Sequence, residues 1–248
     1  MLNIIIPMAG AGSRFSSAGF VDPKPLIPIS GKPMIKLVIE NLTPSINHRF
    51  IFICQNSHIR KYDLEVKLNT WSPGCKIIGI DGVTEGAACT VLKAKDLIND
   101  NNPLMIANSD QFIDTDIDDF INKFIESNLD GMIMTMKANN PKWSFIDFDQ
   151  NNIVTRVVEK EVISDEATVG IYTFRKGNDF IFNTHKMIHE NKRVNNEFYV
   201  APVYNEYILS KKNIGYFNIG SENDGMYGLG TPDDLKIFMN KFFANSIS

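Results

Sequence analysis

Leu2-Asn-Ile-Ile-Ile-Pro-Met8, running straight into Ala9-Gly-Ala-Gly-Ser-Arg-Phe15, is the stretch on which the reading of this chain turns. Its first seven residues are nearly all apolar, with three consecutive isoleucines. An unbroken apolar run predicts a strand buried on both faces, as in a parallel sheet. The glycines that follow end the strand and free the backbone to turn. Residues 49–54, 76–80 and 104–107 repeat the same kind of run. Between them, helical spacing marks residues 33–42 (Ile35, Val38, Ile39, Leu42), 59–68 and 87–98. Strand and helix alternating through short connections predict right-handed βαβ units.

The second half is less regular. Residues 131–137, 145–148, 153–158 and 168–174 read as strands, and Asp149-Gln-Asn-Asn152 supplies turn chemistry between two of them. Antiparallel additions to the sheet are therefore expected. Helices are expected over 179–190, 197–209 and 232–243. The last opens on Thr231-Pro232-Asp233-Asp234, an N-cap followed by a first-turn proline and acids. With no repeat, linker or low-complexity tail, the expectation is one α/β domain over 1–248. Its mixed, mainly parallel central sheet would be flanked by helices in a Rossmann-like arrangement.

Composition excludes several classes. Hydrophobic residues make up 44% and charged residues 22% of the chain, as in ordinary folded proteins. The net charge of −4 argues against nucleic acid held on a broad basic face. No apolar run approaches the roughly 20 residues that span a bilayer. The first residues lack a basic n-region, so neither a signal peptide nor membrane insertion is expected. Cys54, Cys75 and Cys89 are odd in number and form no Cys-x-x-Cys, which suits buried thiols in a reducing cytoplasm. Phe180, Phe182, Phe238, Phe242 and Phe243 read as core. His185 and His189 stand four apart, but Lys186 follows where a metalloprotease needs glutamate, so they read as surface histidines.

Gly10 and Gly12 directly follow the first strand. A glycine-rich turn at the carboxyl end of a parallel strand lets backbone N–H groups close on a phosphate. Arg14 and Lys24 place two cations beside that turn, with Pro23 and Pro25 restricting the chain around Lys24. A solvated surface loop is the plainer alternative, and the combination of features weighs against it. The dinucleotide fingerprint does not fit, because Phe15 stands where a third glycine belongs and Pro23, Pro25 and Pro28 oppose an immediate helix. A P-loop does not fit either, since Gly31-Lys32 meets Pro33 instead of Ser or Thr.

Taken in order, Gly10-Ala-Gly-Ser-Arg14, Pro23-Lys-Pro-Leu26 and Gly31-Lys-Pro33 resemble the signature of the sugar-phosphate nucleotidylyltransferases, the pyrophosphorylase family within the wider GT-A-like folds. The resemblance implies transfer of a nucleotide from a nucleoside triphosphate to a phosphate monoester, with release of pyrophosphate. It implies a nucleotide-binding half over about 1–112 and an acceptor-binding half over about 113–248. Ala9, Gly10, Gly12 and Ser13 would meet the triphosphate, Arg14 its leaving β/γ end, and Lys24 the α-phosphate. Asp110, ending Asn108-Ser-Asp110, would hold Mg²⁺. Gly86 would let the nucleobase lie against backbone, with Asp81 or Thr84 reading its edge. Glu159 and Lys160 would orient the acceptor, in a pocket lined by Ser144, Gly170 and Glu197.

Two departures bear on this. Relatives often carry Trp-x-Asp-x-Gly-Thr-Pro near the C-terminus, its aspartate a second metal ligand; Tyr227-Gly-Leu-Gly-Thr-Pro232 has Gly228 there, and Asp224 is the substitute in reach by sequence. Trp143-Ser-Phe145 replaces a Tyr-Gly of many hexose-phosphate enzymes, and Ser144 and Phe145 would crowd a pyranose ring. The acceptor thus stays open between a sugar 1-phosphate and a small non-sugar phosphate, the latter with a cytidylyltransferase. A GT-A glycosyltransferase is a rival that would usually present Asp-x-Asp, and a nucleotide sensor without catalysis is another. Among relatives homo-oligomers are frequent, and the implied setting is cytoplasmic synthesis of cell-surface polysaccharide precursors such as those of capsule.

Overall fold

The structure, a computed structural model, describes residues 1–243. Eleven strands make one sheet: β1 (Leu2–Pro7), β2 (His48–Gln55), β3 (Lys76–Ile80), β4 (Leu104–Ala107), β5 (Gln111–Ile113), β6 (Gly131–Lys137), β7 (Ser144–Phe148), β8 (Val154–Glu159), β9 (Glu166–Phe174), β10 (Ile214–Glu222) and β11 (Gly225–Gly228). Their order is β3-β2-β1-β4-β9-β6-β10-β11-β5, with β7 beside β9 and β8 beyond it. β3, β2, β1 and β4 run parallel, β9 is antiparallel to both neighbours, and β6, β10 and β11 are again mutually parallel. The mixed, mainly parallel α/β sheet expected from the sequence is what forms.

The apolar run of β1 explains itself here. Ile4 and Ile6 join one core layer with Phe50, Phe52 and Met134, while Ile5 joins the opposite layer with Ile51, Ile53 and Ile106. Both faces are buried, and the strand's one polar side chain, Asn3, accepts hydrogen bonds from Arg49 at 2.8 and 3.2 Å. The helices that cover them are α1 (Ser13–Ser17), α2 (Met34–Leu42), α3 (Asn56–Tyr62), α4 (Leu64–Trp71), α5 (Ala87–Val91), α6 (Lys95–Ile98), α7 (Ile117–Glu126), α8 (Gly177–His189), α9 (Val203–Leu209) and α10 (Pro232–Phe243). Thr231 caps α10 as expected: Asp234 N–H donates to Thr231 Oγ1 at 3.1 Å, and that hydroxyl donates to Asp234 Oδ2 at 2.7 Å. Among the described residues, no helix is long and apolar enough to cross a membrane.

Several expectations need correcting. A helix does open at once after the glycine turn: Gly12 adopts φ 63°, α1 makes one turn, and the prolines lie beyond it. The helix read over 59–68 is two, because Asp63 turns left-handed at φ 50° between α3 and α4. The stretch 87–98 is interrupted by a 3₁₀ turn, Leu92–Ala94. Residues 197–202 are not helical; Asn195 and Asn196 take positive φ, Glu197 bridges Val194, and Phe198 pairs its backbone with Glu85 and Ala88. Phe180 and Phe238 are core, whereas Phe182 is exposed. Phe145 is buried in the core layer opposite Ile146, so it does not crowd a pocket.

One detail fixes the edge of the sheet next to the site. β5 pairs only with β11, and the Asn41 side chain of α2 serves its open side. Asn41 Nδ2 donates to Ile113 O at 2.8 Å, and Ile113 N–H donates to Asn41 Oδ1 at 2.9 Å. Asn41→Ala is expected to cost about 1–3 kcal/mol by leaving both groups unpaired. Urea unfolding checks this: the midpoint should fall with the slope unchanged.

Candidate active site

Because β1 and β4 are parallel neighbours, their carboxyl ends open side by side. The glycine turn after β1 therefore meets Asn108-Ser-Asp110 after β4, across a cleft of about 490 Å³. Ala9, Gly10, Gly12 and Lys24 line one side, and Thr84, Gly86 and Asp110 are also in its wall. Lys24 Nζ donates to Asp110 Oδ2 at 2.6 Å, each side chain about one quarter exposed. Lys24 opens a 3₁₀ turn, Lys24–Leu26, that Pro23 starts from an extended conformation. Asp110 is packed from the other side by the end of β11, where Leu229 N–H donates to Asp110 O at 2.8 Å. A Cβ on Gly230 would come within 2.5 Å of Asp110 Oδ2, so a side chain there would push the carboxylate aside.

Gln55, at the end of β2, escaped the sequence reading. Its Nε2 donates to Ala9 O at 2.6 Å and to Gly82 O at 2.7 Å, tying together the loops on both sides of the cleft. The signal was there: a lone amide closing an apolar strand run. Gly86 has φ 126°, and a Cβ there would sit 2.4 Å from Phe198 O. Its glycine is thus demanded by the extended 197–199 segment as well as by the cleft. Thr84 Oγ1 donates to Gly86 O at 2.9 Å and shares a hydrogen bond with Thr90 Oγ1.

A second cavity, about 370 Å³, adjoins the first; Ala87, Asn108, Glu197 and Tyr199 belong to both walls. Arg14, Ser144, Glu159, Lys160 and Gly170 line it, as does Lys142. Ser144 and Glu159 stand opposite each other across the β7–β8 ladder, and the Ser144 hydroxyl donates to Glu159 Oε2. Burial pushes the Glu159 carboxyl above its ordinary range, partly offset by that hydrogen bond and by Lys160. Lys160 has a left-handed backbone, φ 59°, and its Nζ donates to the Tyr199 hydroxyl at 2.5 Å. Tyr199 was also missed, because nothing in Asn195-Asn-Glu-Phe-Tyr199 says that the segment is extended.

Three expected residues are not brought here. Ser13 is exposed at the start of α1 and lies outside both cavity walls. Asp81 accepts from Asn56 Nδ2 at 3.0 Å and lines a separate depression. Asp224 sits in the exposed turn between β10 and β11, 4.0 Å from Lys241 Nζ, and belongs to neither wall. Arg14 joins the second cavity and not the first. His185 and His189 are both exposed. Among the described residues, no group of three His, Cys, Asp or Glu side chains is placed to hold a metal ion by itself. All three cysteines are free; Cys54 and Cys75 are buried, and burial lifts the Cys54 thiol to about 12.

Residues 3–234 match the sequence profile of the family described as Nucleotidyl transferase. The bifunctional protein GlmU of Methanocaldococcus jannaschii is 24% identical over 251 residues, covering 100% of this chain and 55% of that protein. The mannose-1-phosphate guanylyltransferase catalytic subunit beta of Drosophila melanogaster is 24% identical over 176 residues, covering 68% of this chain and 47% of its own. The chain thus spans about half the length of the curated relatives it matches. In the crystal structure of a nucleoside-diphosphate-sugar pyrophosphorylase from Vibrio cholerae RC9, 99% of the chain superposes on 96% of this one at TM-score 0.82 and 25% identity.

The raised Glu159 carboxyl sets a pH dependence. Between its unfolded value and its higher folded value the native state holds more protons than the unfolded chain, so this group lowers stability as pH rises through that window. Glu159→Gln removes the effect. Its melting temperature relative to wild type should therefore increase from pH 4.5 to pH 7 by differential scanning calorimetry, and a pH-independent difference would contradict the assignment.

Proposed function

The chain belongs to the nucleotidyl transferase family, and from that premise we propose that it transfers a nucleotide from a nucleoside triphosphate to a sugar 1-phosphate, releasing pyrophosphate. The observation that carries this reading is the pair of adjoining cavities with a common wall and a Lys24–Asp110 pair in the first of them. A triphosphate in the first cavity and a phosphate monoester in the second would bring their phosphates together across that wall. The mannose 1-phosphate named for the Drosophila protein and the nucleoside-diphosphate-sugar named for the Vibrio one support the acceptor class.

The chemical problem is repulsion between anions. An acceptor phosphate oxygen attacks the α-phosphorus, a P–O bond forms, and the bond from α-phosphorus to the bridging oxygen breaks in line as pyrophosphate leaves. No proton need move, so positioning and charge neutralisation carry the catalysis. Ala9, Gly10 and Gly12 offer backbone at the triphosphate. Lys24 turns from Asp110 to the α-phosphate and the incoming oxygen. Arg14 and Lys160 neutralise the acceptor phosphate from the second cavity, while Glu159 and Glu197 face the rest of the acceptor. Asp110, a hard carboxylate on the cleft wall, would hold Mg²⁺, which would supply neutralisation of charge at the α-phosphate. Asp224 takes no part in this reading. A single carboxylate facing a lysine suits triphosphate chemistry better than glycosyl transfer. The product, an activated sugar, suits cytoplasmic synthesis of cell-surface polysaccharide.

Pyrophosphate release with Mg²⁺ is the test, using CTP, UTP, dTTP, ATP and GTP against sugar 1-phosphates. Release is expected with at least one pair and should vanish with EDTA. Lys24→Ala should lower kcat by about 10²–10³-fold with the fold intact. Near-normal turnover in that variant would remove Lys24 from the mechanism, and binding of nucleotide without any release would leave a sensor.

A further inference from the structure

The polar groups on one wall of the second cavity are already paired with each other. Ser144 and Glu159 are buried, both line the cavity, and the serine hydroxyl donates to Glu159 Oε2. Beside them the Thr168 and Tyr172 hydroxyls are bonded at 3.0 Å. The cations Arg14, Lys142 and Lys160 share the rest of the lining with Asn108, Glu197 and Tyr199.

This pairing changes what the wall asks of a ligand. A buried carboxylate with an open oxygen demands a donor, and an acceptor lacking the matching hydroxyl leaves it unpaired, which discriminates strongly. Once a protein hydroxyl serves that oxygen, part of the demand is met, out of the roughly four hydrogen bonds a carboxylate can accept. An acceptor hydroxyl aimed at the same oxygen must share it with Ser144, within a cavity of about 370 Å³. Ser144 opens β7 directly opposite Glu159 in the ladder, so the two side chains leave the sheet on the same face.

We propose that Ser144 selects the acceptor: its hydroxyl takes the place on Glu159 that a ligand hydroxyl would take, so the chain favours phosphate monoesters presenting a deoxygenated face to β7. The identity of this cavity as the acceptor site rests on the nucleotidyl-transfer reading above. Selection acts on the body of the acceptor, while the cations hold its phosphate.

Calorimetric binding to the full chain tests this, with glucose 1-phosphate and its monodeoxy analogues as probes and inorganic phosphate as control. Wild type should bind at least one deoxy analogue as tightly as glucose 1-phosphate. Ser144→Ala removes the hydroxyl, and Ser144→Cys keeps the bulk with a far weaker donor. Each should bind glucose 1-phosphate about tenfold more tightly, as expected for one regained hydroxyl contact to a carboxylate, with phosphate affinity unchanged. Ser144→Thr, which keeps the hydroxyl, should retain the wild-type profile. The Cys variant carries the comparison if Ala does not fold. Unchanged affinities and an unchanged deoxy profile in the folded variants overturn the proposal, as does failure of every variant to bind glucose 1-phosphate. Absence of pyrophosphate release with these binding shifts intact would sink the transfer reading alone.

Discussion

The Lys24–Asp110 contact at 2.6 Å is the constraint on which the rest of the site depends. It joins two segments far apart in sequence, the loop after β1 and the end of β4. Both groups are about one quarter exposed, so as a surface-type ion pair it adds little to stability. Its value is positional. Each charge neutralises the other across the cleft. The parallel pairing of β1 with β4 brings the two there, and the close approach of Gly230 holds the aspartate from behind.

The fold was legible where a single force dominated. The runs that became β1, β2 and β4 are buried on both faces, and burial on both faces leaves an unmistakable apolar stretch. The cap of α10 was legible because Thr231-Pro232-Asp233-Asp234 states its hydrogen bonds locally. Reading failed where tertiary contacts override local pattern. Asp63 turns left-handed between α3 and α4, in a stretch whose apolar spacing reads as one helix. Residues 197–199 are not helical, and Phe198 pairs with Glu85 and Ala88, partners that local spacing cannot reveal. α7 carries four buried residues on one face and lay unread between two irregular segments.

The same division holds for the site. Gly10, Gly12, Lys24 and Asp110 were recognisable because phosphate chemistry restricts which residues can stand after a parallel strand, and they line one cleft. Gln55 and Tyr199 were not, since each acts by bridging elements distant in the chain. Asp224 shows the converse: a carboxylate near in sequence to Gly228 is carried outward by the β10–β11 turn toward Lys241. Proximity along the chain is a poor guide to proximity at a strand end.

What the architecture achieves is a separation of tasks across a shared wall. Ala87, Asn108, Glu197 and Tyr199 face both cavities, so a change that widens one must deform the other. The wall of the first cavity includes loops whose backbone geometry is dictated by glycines and by the Gln55 clamp, which leaves little freedom for drift. Strands supply part of the second: Ser144 from β7, Glu159 from β8, and alternate residues of β9, Thr168, Gly170 and Tyr172. Replacing a residue there changes the pocket without moving the sheet, because its neighbours in sequence point into the opposite core layer, as Phe145 does behind Ser144. The side chains of the second cavity are therefore free to vary at single positions, while the glycine-rich loop of the first is not.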